Sequence, residues 1–420
     1  MYDQNEMQWV SALSTRPSLE SALKEVIEQA DRLLEGPADL GLIFISSAFA
    51  SEYSRLMPLL KELLPIPALI GCGAGGVIGT NRGGMTEEVE GSPAVSLSLA
   101  RLPGVNVRTF HVEAEQMPDL DSPPDTWVDL LGVPAHEEPQ FIILADPFSS
   151  KINDLLQGLD YAYPGAPKVG GLAGGDGSRG VALFCNYQLY REGTVGVALS
   201  GNIVLETIVA QGCRPIGRPY RVTEGERNIL LKLEEQTDDP GFGGTGRSPL
   251  EALRELVQTL SEEDRELAQH SLFVGVVSDE FKLVLEPEDF LIRNLLGVDP
   301  KVGAIAIGDR VRLGQRIQFH LRDARTSAED LEMLLERYQR AADDRGISSA
   351  GALIFSCLGR GEGLYGEPNF DSRLFGRYLN NIPLSGFFCN GEIGPVGGNT
   401  FLHGYTSVFG ICRQSSSDGG

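Results

Sequence analysis

One strand–helix–strand–glycine arrangement occurs three times along this chain, and the repetition constrains the fold more than any other feature. In the first copy, a short apolar run at 42–45 precedes a helical pattern, a strand candidate at 66–70 and the glycine-rich segment 71–76. A run this short and apolar is typical of a strand buried on both faces. Glycines directly after a strand indicate a tight turn or a close backbone approach. The pattern therefore predicts a repeated unit of strands and helices.

The other two copies follow the first at fixed offsets. An offset of 99 residues equates Ile43 with Ile142 and Gly71 with Gly170. An offset of 315 residues equates Gly71 with Gly386 in a third copy near the C-terminus. The chain holds 51 glycines, about 12% against a usual value near 7%, and the repeat accounts for many of them. Each copy then ends in another strand candidate, at 95–100, 195–199 and 407–412.

The fold class predicted from these copies is α/β (α+β), with mixed β-sheets covered by helices. The chain is expected to form two halves built from repeated strand–helix–strand–glycine-turn–strand modules. Strand candidates between 220 and 325 fit the pattern less well and are interpreted as a diverged fourth unit. Helical spacing predicts helices at 18–34, 249–268 and 327–342.

Charge and composition narrow the function classes. The chain carries 58 acidic and 35 basic residues, a formal net charge of −23. Nucleic-acid backbones and anionic membranes repel such a surface, so neither a nucleic-acid partner nor membrane insertion is expected. No apolar run approaches the ~18 residues of a membrane span, and the polar N-terminus does not resemble a signal peptide. A cytoplasmic location is expected.

Metal and nucleotide sites are not indicated. The six cysteines include no C-x-x-C pair, and no histidine is spaced for a zinc site. The segment 71–76 matches G-x-G-x-x-G, but 77–84 is unsuited to start the helix that a dinucleotide site requires. We expect no cofactor and no metal.

The segment 109–150 differs from its surroundings, because it has nine acidic residues, six prolines and no lysine or arginine. This composition is typical of a solvated surface loop. The alternative is an interaction site for a basic partner.

The third copy carries the side chains best suited to a binding site. Cys357 ends its first strand and precedes Arg360, while Cys389 lies in the glycine turn. Ligands of α/β sheets bind beyond strand ends, and an arginine there holds carboxylates or phosphates and lowers the pKa of a nearby thiol. No catalytic residue is assigned. The predicted ligand-binding residues are Cys357, Arg360, Cys389, Asn390, Gly391, Glu392 and His403.

Several of these segments resemble a known family. The run at 386–395, followed by 400–406, is similar to the signature near the end of the FIST C-terminal domain. The segments 296–300 and 319–324 resemble the same domain. The glycine turns at 70–79 and 169–175 resemble the FIST N-terminal domain, and the resemblance covers roughly residues 36–413.

The resemblance implies a domain organisation and a role. It places a FIST N-terminal domain at 36–221 and a FIST C-terminal domain at 222–413. Apolar spacing adds an N-terminal helix at 1–35, and composition adds a disordered tail at 414–420. FIST domains are regarded as sensory modules for small ligands in signal transduction, with amino acids suggested. The chain resembles the stand-alone form associated with cyanobacteria and plants. Without an output domain, the signal passes through a partner protein or through assembly.

Three functional hypotheses stay open at this point. The first is a cytoplasmic sensor that binds a small polar ligand, such as an amino acid, and signals through a partner. The second is a thiol-dependent enzyme or redox sensor that uses Cys357 or Cys389. The third is an acidic scaffold that binds a partner through the segment 109–150.

Overall fold

The computed structural model describes residues 5–148, 151–174, 180–236 and 246–415. Gly175 of the second glycine turn and residues 416–420 of the predicted tail lie outside this part of the chain. The described strands are β1 Gln8–Ser14, β2 Leu40–Ser46, β3 Ala68–Ala74, β4 Gly76–Thr80, β5 Thr86–Glu90, β6 Val95–Arg101, β7 Val105–Val112, β8 Gln140–Ala145, β9 Lys168–Leu172, β10 Leu183–Cys185, β11 Gln188–Tyr190, β12 Thr194–Gly201, β13 Val204–Ala210, β14 Arg214–Glu226, β15 Ile229–Glu235, β16 Leu272–Val277, β17 Phe290–Asp299, β18 Ala304–Ile307, β19 Arg316–Leu321, β20 Gly351–Cys357, β21 Leu384–Cys389, β22 Glu392–Val396, β23 Asn399–His403 and β24 Ser407–Arg413.

The described helices include one that begins close to each position predicted from apolar spacing. Ser18 caps α1 by accepting a hydrogen bond from the backbone N–H of Ser21, as expected for a serine at this position. The region predicted as one helix at 249–268 is two helices, because the chain turns at Leu260 and Ser261, and Ser261 caps the second. The α-helices are α1 Leu19–Leu33, α2 Tyr53–Leu63, α3 Pro124–Leu131, α4 Ile152–Ala162, α5 Pro249–Thr259, α6 Glu262–Ala268, α7 Ala324–Arg345, α8 Gly361–Tyr365 and α9 Phe370–Tyr378.

The chain forms two compact units, Met1–Val209 with Glu332–Gly420, and Ala210–Leu331. The first contains three six-stranded mixed sheets, which confirms the predicted fold class. Their strand orders are β1-β6-β2-β3-β10-β11, β7-β12-β8-β9-β22-β23 and β13-β24-β20-β21-β4-β5. We call these the first, second and third sheets. The domain bounds implied by the family resemblance stay a prediction.

The three sheets share one design. At the centre of each lies a parallel pair, β2–β3, β8–β9 or β20–β21, and the third strand of the same copy joins it antiparallel. In each copy, the hairpin that follows the glycine segment does not pair with the strands of that copy. It adds two strands to the sheet of another copy instead. Thus β10 pairs with β3, β22 with β9, and β4 with β21. The copies are therefore interlocked in a ring.

The glycine that opens each turn is required by strand contact. A Cβ on Gly71 would lie 2.0 Å from the carbonyl oxygen of Ile43 on the neighbouring strand. The corresponding distances are 1.8 Å from Gly170 to Ile143 and 1.8 Å from Gly386 to the third-sheet residue Ile354. No side chain fits such a space, so these glycines permit the close parallel pair.

The same pairing corrects one expected correspondence. Gly71 is the register partner of Ile43, and Gly170 is the register partner of Ile143. Ile43 therefore corresponds to Ile143 and not to Ile142, because one extra residue lies between the two strands of the first copy. The offset of 99 therefore holds for the second and third strands of the copies but not for the first.

One shared core lies among the inner faces of the three sheets. Alternate strand residues such as Phe44, Leu144, Phe355 and Phe387 project into it. The residues between them project outward beneath the helices, with α1 and α2 on the first sheet and α3 and α4 on the second. Strands buried on both faces explain why the predicted runs are continuously apolar.

The second unit is a closed barrel with the order β14-β15-β18-β17-β16-β19, in which every pair is antiparallel. The prediction of a diverged fourth copy is therefore wrong. The barrel strands β14 and β15 were not predicted, because only one face of each is apolar, which shortens the apolar runs. Isolated strand candidates in a sequence do not indicate whether their sheet closes.

Two further expectations are corrected in the first unit. Strand β1 precedes the predicted N-terminal helix and forms an edge of the first sheet. The segment 109–150 is not a solvated loop, because it contains α3, all of β8 and the end of β7, and Trp127 on α3 is fully buried. Most of its acidic residues are exposed or half-buried, whereas Asp146 is buried. None of the described helices combines the length and apolar character needed to cross a membrane.

Candidate functional site

The third sheet carries a buried polar cluster on its helix-covered face, at the carboxyl ends of β20 and β21. Ligand sites of α/β proteins lie at this end of parallel strands. The cluster joins side chains from β5, β20, β24, the loop before α8, α8 itself and α9. Its members are Glu88, Ser356, Arg360, Tyr365, Asp371, Ser372 and Ser407.

An ion pair forms the centre of this polar cluster. Arg360 donates from Nε to Oδ2 of Asp371 at 2.8 Å and from Nη2 to Oδ1 at 3.0 Å. The two side chains are 0% and 2% exposed, so water does not screen the contact. Arg360 also donates to the hydroxyl of Tyr365 at 2.5 Å. A bidentate guanidinium–carboxylate pair is strong and fixes the orientation of both groups.

Two serines complete the surroundings of the carboxylate. Ser407 donates to Oδ2 of Asp371 at 2.6 Å, and Ser356 donates to the same oxygen at 3.4 Å. Burial on its own would raise the pKa of Asp371, but the charge and hydrogen bonds of Arg360 outweigh it and hold that pKa below its ordinary value. Asp371 is therefore a buried carboxylate.

A second carboxyl group reaches the cluster from another copy of the repeat. Glu88 lies on β5, in the hairpin that the first copy contributes to the third sheet, and accepts a hydrogen bond from the Ser372 backbone at 2.7 Å. Burial, together with the negative charge of Asp371, raises the pKa of Glu88 to about 7. Around neutral pH this carboxyl changes its charge.

Among the described residues, the first two sheets have no such cluster at the corresponding positions. Ser356 and Ser407 are register partners, and the equivalent partners in the first sheet are Ile45 and Val95. The position of Glu88 is occupied by a leucine in each of the other sheets. At these three positions the third sheet thus has polar side chains where the first sheet has apolar ones, although burying polar groups costs free energy.

The two predicted cysteines lie on the opposite face of the third sheet. Cys357 and Cys389 end β20 and β21 and are register partners. Cys357 is half-buried and Cys389 is buried. Burial and the charge of Glu392 raise the pKa of the Cys389 thiol well above its ordinary value. A thiol of this kind is a poor first nucleophile, which counts against Cys389 as the group that attacks a substrate.

The remaining predicted residues lie where the chain passes from the third sheet into the second. Asn390 is exposed and donates to the Ala173 carbonyl at 3.0 Å. The Gly391 carbonyl accepts a hydrogen bond from the Leu172 backbone at 2.8 Å. This short segment therefore joins the two sheets through backbone contacts.

Glu392 and His403 stand opposite each other as register partners in the hairpin that follows. Buried Glu392 accepts from the Thr406 backbone at 3.0 Å. A ring nitrogen of His403, Nε2, lies 3.0 Å from the Gly394 carbonyl oxygen. Both side chains are held by the backbone of the hairpin segment.

The structure thus separates the seven predicted residues. Cys357, Arg360 and Cys389 lie at one end of the third sheet, on two different faces, whereas Glu392 and His403 belong to the second sheet and Asn390 and Gly391 lie between the two. Cys357 and Asn390 have solvent-accessible side chains, whereas Arg360, Cys389, Glu392 and His403 are buried. Sequence reasoning missed Glu88 and Asp371. The signal available in the sequence was a pair of serines, Ser356 and Ser407, at the positions where the first copy has Ile45 and Val95.

Comparison with known proteins gives matches over most of the chain. The FIST N domain model matches residues 39–236, and the FIST C domain model matches residues 249–395. An uncharacterized protein of Mycobacterium tuberculosis is 35% identical over 401 residues, which cover 95% of this chain and 98% of that protein.

Two further relatives extend the comparison. An uncharacterized protein of Mycobacterium bovis is 34% identical over 399 residues, covering 94% of this chain and 96% of that protein. An F-box/LRR-repeat protein of Arabidopsis thaliana is 23% identical over 367 residues, covering 77% of this chain and 68% of that protein.

Proposed function

This chain belongs to the FIST family, and from that premise we propose that it is a sensor of a small polar ligand. FIST domains are generally regarded as small-ligand sensory domains in signal transduction. The ligand binds at the carboxyl end of the third sheet, on the surface around Cys357 and Asn390. The signal then passes to a partner protein.

The observation that carries this proposal is the difference among the three sheets. All three have the same strand order, yet within the part of the chain that the structure describes only the third places an ion pair, two serines and a titratable carboxyl beneath its strand ends. Buried ionic groups do not in general add stability relative to an apolar core. Perturbed carboxyls at strand ends are instead typical of functional sites.

The buried members of the cluster position the site, and the exposed ones meet the ligand. Arg360 is held by Asp371, so it orders the loop that follows Cys357. Asn390 offers an amide to the solvent, while Glu90 and Glu362 place exposed carboxylates at the same end of the sheet. A small ligand with an ammonium group and a second polar group fits this surface, and amino acids belong to that class.

A thermal-shift titration tests the proposal. Single amino acids, polyamines and dicarboxylates at millimolar concentrations are added to the purified protein and to two variants. N390A removes the exposed amide, while the matched control N399A changes an exposed asparagine at the turn of the β22–β23 hairpin. We expect at least one ammonium compound to raise Tm in wild type and N399A, and to act at several-fold higher concentration in N390A. Absence of any shift, or equal titrations for both variants, would refute the site.

A second candidate function, an interaction module, is favoured by an exposed apolar tip on the barrel. Between β16 and β17, Phe281 and Leu283 are each 94% exposed and Val284 is 76% exposed. Large apolar side chains clustered in this way mark contact sites for other molecules. For the acidic scaffold hypothesis, the proposed interaction site is therefore this tip and not the segment 109–150.

The tip is held in place by ionic contacts. Arg316 donates to a carboxylate oxygen of Glu280 at 2.8 Å and to the Asp279 carbonyl at 3.0 Å, and Lys282 donates to Asp289 at 2.8 Å. The segment 279–289 contains five carboxylates and one lysine. The partner that fits is a protein with an apolar pocket rimmed by basic residues, since anionic membranes repel the carboxylates.

Photo-crosslinking identifies that partner. A benzoyl-phenylalanine at position 283 is crosslinked in cells, the captured protein is purified, and its affinity is measured by calorimetry. We expect F281S/L283S to weaken binding at least tenfold and M333S, an exposed control on α7, to leave it unchanged. Equal affinities for both variants, self-association in sedimentation, or binding to anionic vesicles instead would overturn this assignment.

A further inference from the structure

Two thiols lie side by side at the end of the third sheet's parallel pair. Cys357 and Cys389 are register partners on β20 and β21, and neighbouring strands are about 4.8 Å apart. Phe355 and Phe387, two residues earlier on each strand, project into the central core. Because side chains alternate along a strand, both cysteines project from that same face.

This arrangement is specific to one pair of cysteines. The six cysteines all lie within the described residues. Cys213 lies outside the strands, and the other three have register partners that are not cysteines. Cys72, for example, stands opposite Phe44, and Cys412 stands opposite Gly351. In the first sheet, the positions equivalent to Cys357 and Cys389 hold Ser46 and Ala74.

The two thiols differ in access to solvent. Cys357 is half-buried, and its sulfur accepts a hydrogen bond from the Gly359 backbone at 3.4 Å. Cys389 is buried, and a Cβ on Gly171 of the second sheet would lie 2.4 Å from its sulfur. An oxidant from solution therefore reaches Cys357 first, with Cys389 behind it.

We propose that Cys357 and Cys389 form a reversible redox site that closes to a disulfide when the protein meets a peroxide. The Cys357 thiolate attacks one oxygen of hydrogen peroxide, the O–O bond breaks, and a sulfenic acid and water result once the leaving hydroxide takes a proton. The Cys389 sulfur then attacks the sulfenic sulfur. The S–S bond forms, the S–O bond breaks, and hydroxide leaves with the Cys389 proton as a second water.

The geometry makes this disulfide a labile one. Strand spacing satisfies the Cα separation of about 4.4–6.8 Å that a disulfide needs, but the usual Cβ separation near 3.8 Å requires the strand ends to draw together. Strained disulfides are reduced readily. Formation of the disulfide would also alter the neighbouring hydrogen bond, in which the Leu358 N–H donates to the Cys389 carbonyl at 3.0 Å. Oxidation thus alters the loop that leads to Arg360.

Mass spectrometry of the whole protein tests the site without any variant. Reduced wild-type protein is treated with hydrogen peroxide, and we expect a loss of two hydrogen masses that is recovered with dithiothreitol. Tandem spectra of the digest should join the peptide of Cys357 to that of Cys389. A protein whose mass stays at the reduced value, or a linkage between other cysteines, would overturn the proposal.

Variants then separate the roles of the two sulfurs. In C389A, a sulfenic acid at Cys357 should persist and react with dimedone, whereas C357A should give neither disulfide nor dimedone adduct. C412A removes a buried cysteine on β24 and should oxidise as wild type does. If C389A and C412A behave alike, Cys389 is not the resolving thiol. The test does not depend on the proposed ligand, because no ligand is added.

Discussion

Glu88 and Asp371 lie in one buried cluster, and their pKa values are shifted in opposite directions. Glu88 comes from the hairpin of the first repeat, and Asp371 from α9 of the third. Burial, with the charge of Asp371, raises the pKa of Glu88 to about 7, while Arg360 offsets the effect of burial on Asp371 and keeps its pKa low. Two like charges so close in a buried site are unfavourable, so Glu88 keeps its proton below about pH 7 while Asp371 is ionised.

The raised pKa predicts how stability depends on pH. Unfolding lowers the pKa of Glu88 from about 7 to about 4.5, so the folded state binds more protons between these values. The contribution of Glu88 to the free energy of unfolding is therefore present below pH 4.5 and lost as pH rises to 7. E88Q cannot ionise, so at pH 8 it should be more stable than wild type by about 2–3 kcal/mol.

Urea unfolding of wild type and E88Q at several pH values between 4.5 and 8 checks this. The difference between the two proteins should grow in favour of E88Q as pH rises and level off above 7. E367Q, at an exposed position, should show no such trend. Parallel curves for wild type and E88Q would contradict the buried, protonated state of Glu88.

The Arg360–Asp371 pair predicts a large stability effect. R360A leaves the Asp371 carboxylate buried without its guanidinium, and loss of one partner of a buried pair costs about 3–5 kcal/mol. D371N should act in the same direction. Thermal unfolding measures both against R373A, which breaks the exposed pair between Arg373 and Glu367 and should cost less than about 1 kcal/mol. An R360A protein as stable as R373A would contradict the proposed positioning role.

Sequence patterns revealed the repeated strands because burial on both faces leaves continuous apolar runs, as at 42–45 and 352–355. They did not reveal which sheet each hairpin joins. Periodicity reports how a residue is buried, whereas β4 pairs with β21 through contacts between residues such as Val77 and Phe387 that are far apart in the chain. Periodicity therefore could not reveal that the three copies are interlocked in a ring.

The same limit applies to the candidate site. Arg360 was identified from its position after a strand, but its partner Asp371 lies on a separate helix, α9, with nothing in the local sequence to connect the two. Glu88 reaches the cluster only because the hairpin of the first copy belongs to the third sheet. The local sequence therefore indicated where in the fold the site lies. Contacts between distant parts of the chain bring in the two carboxyl groups, Glu88 and Asp371.

The close parallel pair predicts a strict requirement for glycine at position 386. A methyl group there would lie 1.8 Å from the Ile354 carbonyl oxygen, which is backbone and has little freedom to move. G386A should therefore separate β20 from β21 and lower Tm strongly or prevent folding. The control G376A adds a methyl group to helix α9 where no atom lies within 4 Å, and should stabilise by about 0.5–1 kcal/mol. Similar melting of the two variants would contradict the steric argument.

Gly158 on α4 tests the packing of the segment once expected to be a loop. Alanine normally stabilises a helix interior by about 1 kcal/mol relative to glycine. Here a Cβ would lie 2.4 Å from three ring atoms of Trp127 on α3, so G158A should destabilise the protein by displacing the indole. Urea unfolding of G158A, W127A and the double variant forms a complete cycle. W127A alone should cost about 3–5 kcal/mol, and in that background G158A should become stabilising. If G158A has the same effect with and without the indole, α3 does not pack on α4 as described.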